Sequence, residues 1–159
     1  LHPPATPNAT AKPTAAGTKL KNKNASYQVV SANPKQPTVT YVQNLKKTAA
    51  SVTVPAQVKI GSVTYKVVAI GSKAFANNKK LKTLTIGKNI TTIGKNAFAG
   101  CKKLKKITIK STKLKSGAIG KNAFKGTAKN LVVKVSKKQY KAYKKLLKKK
   151  GNKKVKIKK

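Results

Sequence analysis

Lysines at repeating offsets are the side chains of this sequence best placed to do chemistry. They stand at Lys79, Lys80 and Lys82, again at Lys102, Lys103, Lys105 and Lys106, and once more at Lys129 and Lys134. An ammonium on a flexible stem is a hydrated point charge. It suits diffuse attraction for phosphate, sulfate or carboxylate and lacks the planar fork with which arginine reads guanine. Arginine is absent, and so are aspartate and glutamate: 39 lysines face no acidic residue, for a formal charge of +39 over 159 residues. At average usage such a chain carries roughly twenty acidic residues, so their absence is a selected or designed property.

The missing carboxylates exclude most catalysis. General acid–base pairs, glycosidase dyads, Asp-oriented triads and hard-cation sites for Ca²⁺ or Mg²⁺ all need Asp or Glu. A charge-crowded lysine nucleophile would need a partner that nothing in the sequence places. Cys101 is the sole cysteine and His2 the sole histidine, so no internal disulfide, no metal site and no cofactor is expected. Cys101 reads as a small buried apolar side chain; the alternative is a thiol activated by surrounding lysine charge. His2 reads as inert.

A polyanion is the partner such a charge calls for, each bound lysine releasing counterions. Candidates are nucleic acid, a wall polymer such as teichoic acid, a glycosaminoglycan, or the headgroups of an anionic membrane touched peripherally. Nucleic acid is the weaker candidate: there is no groove-reading motif or aromatic platform, and base contacts would fall to the tyrosines. An acid-free engineered scaffold with no ligand is a further alternative, favoured by the joint absence of Asp, Glu, Arg, Met and Trp.

Four segments must position these lysines. Residues 1–24 are rich in Pro, Ala and Thr without hydrophobic period, the composition of a flexible leader. Residues 25–68 alternate as YQVV, TVTYV, SVTVP and VTYKVVAI and read as a β-rich cap, with a hairpin turned at Gly61-Ser62. Residues 69–135 repeat, and residues 136–159 hold a lysine-rich helix and tail. Asn-x-Ser/Thr triplets start at Asn8, Asn24 and Asn89, at a frequency chance explains. No apolar run approaches eighteen residues, and no basic segment leads into an apolar stretch at the start. With Leu first and no Met, the sequence reads as a processed chain or a piece of a longer one whose targeting signal lies outside it.

The repeat has a period of 23 residues. It puts Ile70 over Ile93, Gly71 over Gly94, Phe75 over Phe98, Leu81 over Leu104, Leu84 over Ile107 and Ile86 over Ile109. A third copy, spaced by 26, brings Ile119, Gly120, Phe124, Val133 and Val135 into the same places, with Leu131 matching Leu104 after one inserted residue. A period in the twenties that closes on a short alternating strand is the mark of a leucine-rich-repeat solenoid. The alternating triplets predict a parallel ladder with an inward apolar stripe. Each Ala-Phe pair predicts a short helical turn on the opposite wall, with Phe75, Phe98 and Phe124 stacked as a column. Gly71, Gly94 and Gly120 are expected to turn the chain ahead of each such piece.

The runs IGSKAFANNKKLKTLTI, IGKNAFAGCKKLKKITI and IGKNAFKGTAKNLVVKV resemble the BspA-like subclass of leucine-rich repeat, found in large surface proteins of gut and oral bacteria and some protozoa. The resemblance covers about residues 50–135. Cys101 falls where that family often places Cys, while Asn78 and Thr127 depart from it. The resemblance implies a right-handed α/β solenoid, secreted or on a cell surface, acting in adhesion or binding and not in catalysis. Such repeats normally carry acidic residues, so family ligands do not transfer.

Beyond the repeats, Ser136 is an expected N-cap and Gly151 an expected stop, framing a helix with Tyr140, Tyr143 and Leu147 on one face and Leu146 beside it. It reads as a cap on the open end of the solenoid; lying on an anionic membrane is the alternative. VKIKK at 155–159 reads as a final strand. Nine lysines lie in residues 1–68 and 30 in residues 69–159, so the expected anion-binding rows lie along the repeats.

Overall fold

The computed structural model describes residues 12–115 and 117–159; His2, Pro3, Pro4, Pro7 and the triplet at Asn8 lie outside them. Eleven strands follow one another: β1 (Lys19–Lys21), β2 (Ala25–Ser31), β3 (Thr38–Asn44), β4 (Ser51–Val54), β5 (Gln57–Ile60), β6 (Val63–Ile70), β7 (Thr83–Ile86), β8 (Thr92–Ile93), β9 (Lys106–Ile109), β10 (Val132–Lys134) and β11 (Lys156–Lys158). Among the described residues one α-helix, α1 (Tyr140–Leu147), lies between β10 and β11. The chain is a largely β solenoid of about five turns, wound around three walls.

The first wall is the ladder the repeats predict. β4, β7, β9, β10 and β11 pair in parallel: Ser51 with Thr83, Thr83 with Lys106, Lys106 with Val132, and Val132 with Lys156. Alternation along each strand turns Val54, Leu84, Ile86, Ile107, Ile109 and Val133 into the core. The ladder runs past both bounds of the 69–135 segment. β4 is its first rung although it lies in the segment read as a cap, and β11 is its last.

On the second wall Tyr41 pairs with Ile70, Ile70 with Ile93, and Ile93 with Ile119, all in parallel. The third wall carries the phenylalanines. Phe75, Phe98 and Phe124 are fully buried and stack with centroids 5.6 and 5.7 Å apart. Backbone bonds tie this wall from coil to coil: the N–H of Phe75 donates to Ala97 O (2.7 Å), that of Phe98 to Ala123 O (2.9 Å), and that of Phe124 to Lys150 O (2.8 Å).

No helix forms at the Ala-Phe pairs, where the sequence predicts one. Two residues per coil take left-handed backbone: Lys73 and Asn77, Asn96 and Gly100, Asn122 and Gly126. A left-handed residue at each end of a short run stops a right-handed helix and leaves the intervening N–H groups for the neighbouring coil. Asn and Gly adopt that conformation at little cost, and Lys73 at a higher one. Lys73→Asn is therefore expected to stabilise the fold by roughly 0.5–1 kcal/mol, seen as a higher urea midpoint at unchanged slope.

The repeated glycines serve contact and not turning. Gly71, Gly94 and Gly120 are absent from the positive-φ residues. A Cβ on Gly94 would overlap the backbone of Gly71 and Ser72, and one on Gly120 that of Gly94 and Lys95. Glycine lets successive coils approach at this corner.

At the N-terminal end β1, β2 and β3 form an antiparallel meander, and β5 and β6 a hairpin turned at Gly61 (φ 63°). The meander closes the aromatic column. Tyr41 stacks on Phe75 at 5.3 Å, and Tyr27 meets Tyr41 edge-on at 5.4 Å. Part of the expected leader is drawn in: Leu20 of β1 pairs with Tyr27 and packs on the core, and the N–H of Gly17 donates to Val29 O. One apolar anchor and the free edge of β2 are enough to order that stretch.

At the other end a 3₁₀ turn (Lys137–Gln139) leads into α1. Ser136 is extended, but its hydroxyl makes no capping bond, and α1 stops at Leu147, short of Gly151. Without a cap or an acidic first turn, α1 depends on packing. Tyr143 and Leu147 are buried; the Tyr143 hydroxyl donates to Ser111 O (3.0 Å) and accepts from the Leu114 N–H (3.0 Å). The helix belongs to the last coil, and β11 completes the end beside it.

Candidate functional site

Small polar side chains line the corner between the phenylalanine wall and the ladder. Asn44 Nδ2 donates to Asn78 Oδ1 (2.7 Å), Asn78 Nδ2 to Ala76 O, Cys101 Sγ to Phe75 O (2.9 Å), Thr127 Oγ1 to Phe124 O, and Asn152 Nδ2 to Thr127 Oγ1. Each satisfies a group where the chain bends from one wall to the next. Asn78, Cys101 and Thr127 thus each donate to a carbonyl of the phenylalanine wall, Cys101 in the preceding coil and Asn78 and Thr127 in their own.

Cys101 is fully buried, and burial pushes its thiol up to about 11, a backbone hydrogen bond at Asn78 opposing this. Lysine charge does not activate it. At pH 8 Cys101 is expected to resist a thiol-exchange reagent in the native protein and to react as fast as an unstructured thiol once unfolded. Rapid labelling of the folded chain would contradict the burial.

All nine lysines of the repeating offsets are exposed, and the fold distributes them over two surfaces. Lys106 and Lys134 lie on the outer face of the ladder in different rows: Lys106 pairs with Thr83 and Val132, Lys134 with Thr108 and Lys158. Lys82 and Lys105 sit on adjacent rungs just ahead of the strands, the N–H of Lys105 donating to Lys82 O (3.0 Å). Lys79, Lys80, Lys102, Lys103 and Lys129 occupy the turns leading into β7, β9 and β10. Neighbouring rungs are about 4.8 Å apart, so Lys79, Lys80 and Lys82 stand one rung from Lys102, Lys103 and Lys105 ahead of the strands, while on the strands themselves no two of the nine share a row.

The last coil extends both surfaces with exposed lysines that the repeat register had not included. Lys153 and Lys154 stand ahead of β11, and Lys156 and Lys158 on its outer face. Their signal was present, since KKVKIK restates KKLKKI. Elsewhere, Lys144 and Lys159 place Nζ 5.6 and 5.3 Å from the Tyr140 ring centroid, a cation–π arrangement that leaves Tyr140 half-exposed. Asn89 Nδ2 donates to Ala56 O (3.0 Å), so a glycan there would displace a bond between coils. Among the described residues, no group of His, Cys, Asp or Glu could hold a metal, and no helix is long and apolar enough to cross a membrane.

Comparison with known proteins agrees with this architecture. A leucine rich cell surface protein from Faecalibacterium prausnitzii A2-165 superposes with a TM-score of 0.61 at 29% identity, over 75% of this chain and 30% of that one. The present chain therefore spans under a third of that protein. A leucine-rich repeat protein from Bacteroides capillosus gives a TM-score of 0.64 at 18% identity, over 89% of this chain and 99% of the other. One from Bacteroides ovatus gives 0.51 at 23%, over 75% and 38%. No curated protein matches significantly. The profile of the BspA type leucine rich repeat region, in six copies, matches residues 51–159, from the first rung of the ladder through the last, and the chain belongs to that family.

Proposed function

We propose that this chain is a non-catalytic repeat module, secreted or held at a cell surface, that binds an anionic polymer through its lysine rows in adhesion or surface retention. The observation that carries the reading is the exposure of all nine repeat lysines in a sequence with no carboxylate side chain to neutralise them. The field of such a surface is not cancelled locally and must be met by an outside anion. The description of the F. prausnitzii relative as a cell surface protein supports the location.

Two other partners fit less well. Tyr27, Tyr41, Tyr65 and Tyr143 are buried, so the stacking platform that single-stranded nucleic acid uses is missing. Tyr143 and Leu147 of α1 are buried and Tyr140 and Leu146 are packed partly against the core, which leaves a surface dominated by lysines for an anionic membrane. The test is a titration against duplex DNA, heparin and wall teichoic acid, each from low to physiological salt. One polymer held at physiological salt while the others dissociate identifies the ligand. If all three weaken together in proportion to charge density, the lysines form no specific site and the proposal fails.

A further inference from the structure

The outer face of the parallel ladder is divided along the solenoid axis. One register row reads Thr53, Thr85, Thr108, Lys134, Lys158; the other reads Ser51, Thr83, Lys106, Val132, Lys156. Hydroxyls occupy the N-terminal strands and ammonium groups the C-terminal ones. Ser51 and Thr53 are exposed, and Thr83, Thr85 and Thr108 half-buried, so all five are open to a ligand. Strand preference alone accounts for threonine here, but it does not account for what lies at the start of the rows.

β4 pairs on one side only. Beside it lies a cavity of about 440 Å³ whose lining includes Asn22, Asn24, Asn44, Ser51, Thr53 and Gln57. Amides and hydroxyls both donate and accept, as sugar hydroxyls do. Lys46 and Lys59 are the only charged residues in that lining. The volume falls in the range of small-ligand sites. A pocket of amides and hydroxyls, with two lysines and the apolar Val52, Pro55 and Val58 also in its lining, thus opens onto a row of hydroxyls that ends in lysines.

Resting on the polyanion reading above, we propose that the polymer is an anionic polysaccharide, a sugar chain bearing sulfate or phosphate. It seats a sugar unit in the cavity beside β4 and runs across the strands, over Thr85 and Thr108, to Lys134 and Lys158. A polymer of phosphate alone would use the lysines and could accept from the threonine hydroxyls, but it has no hydroxyl to donate back and no sugar unit to fill the cavity.

The experiment compares heparin with inorganic polyphosphate of matched charge at physiological salt. It uses the wild type, a Thr53→Val, Thr85→Val, Thr108→Val variant, and a Lys134→Gln, Lys158→Gln variant. Valine keeps the shape and strand preference of threonine, and thermal melting verifies the folds. The valine variant is expected to bind heparin about tenfold or more weakly, through three lost hydrogen bonds, with a clearly smaller loss for polyphosphate, which can only accept from those hydroxyls. The glutamine variant is expected to weaken both. Heparin binding unchanged by valine, or an equal loss of both polymers, overturns the polysaccharide assignment and leaves the polyanion reading standing. Unchanged binding of both polymers by the glutamine variant overturns the proposed path. If the wild type holds neither polymer, the polyanion reading itself falls and takes this inference with it.

Discussion

Phe98→Ala is expected to cost the fold about 3–5 kcal/mol, a large share of the roughly 5–15 kcal/mol that holds a domain together. Phe98 stands in the middle of the aromatic column, fully buried, with Phe75 on one side and Phe124 on the other. Removing its ring leaves a cavity that the walls cannot close, because backbone bonds on the phenylalanine wall fix the spacing of the coils there. Phe98→Leu retains most of the volume and should cost less. Urea denaturation of the two variants beside the wild type measures the difference. A loss below about 1 kcal/mol for the alanine variant would mean that the column is not tightly packed.

The second large effect is electrostatic. Converting Lys102, Lys103, Lys105 and Lys106 together to Gln removes four charges from one coil. If each neutralises one polymer charge, the slope of log K against log salt should fall by up to about 3–4, at about 0.7–0.9 per contact. For a polymer engaging six to ten charges, affinity itself drops by about 10³–10⁵ between 50 and 200 mM salt, so a change of that slope is readily measured. The matched control converts Lys12, Lys19, Lys23 and Lys35, all exposed and outside the repeats. Net charge is then identical and only position differs. Equal slopes for the two variants would show that the polymer senses total charge and not the repeat surface.

The strands and the column were legible because their signals are local. Thr-Val alternation marked β3, β4 and β6 and the YQVV run marked β2, and the recurrence of Phe75, Phe98 and Phe124 demanded a common wall. β4 as a rung escapes the 23-residue register: SVTV lacks the Ile-Gly and Ala-Phe signals of the other coils, and its pairing with β7 and the family match that begins at residue 51 identify it. The ordering of β1 rests on Leu20 and on the edge of β2, a contact the sequence does not encode nearby. The left-handed positions were written in Asn96, Asn122, Gly100 and Gly126 at matching offsets, yet Lys73 at the first of them obscured the pattern. As for the candidate surface, exposure followed from composition. Its division into hydroxyl and ammonium halves depends on strand register, because the third coil shortens the step from Leu131 to the strand and puts Val132 where Lys106 would project its charge.

The edge-to-face contact of Tyr27 on Tyr41 has a consequence for how such a protein can change length. It terminates the stack with rings that belong to an antiparallel meander, a piece of structure no repeat can imitate, while α1 and β11 lie beyond the other end of the phenylalanine column. Between these ends each coil meets the same surroundings above and below. A duplicated 23-residue unit inserted after β7 would find a phenylalanine, a glycine corner and a strand waiting on either side, and neither terminus would register the addition. Evolution can therefore adjust the reach of the lysine rows one coil at a time without rebuilding the ends.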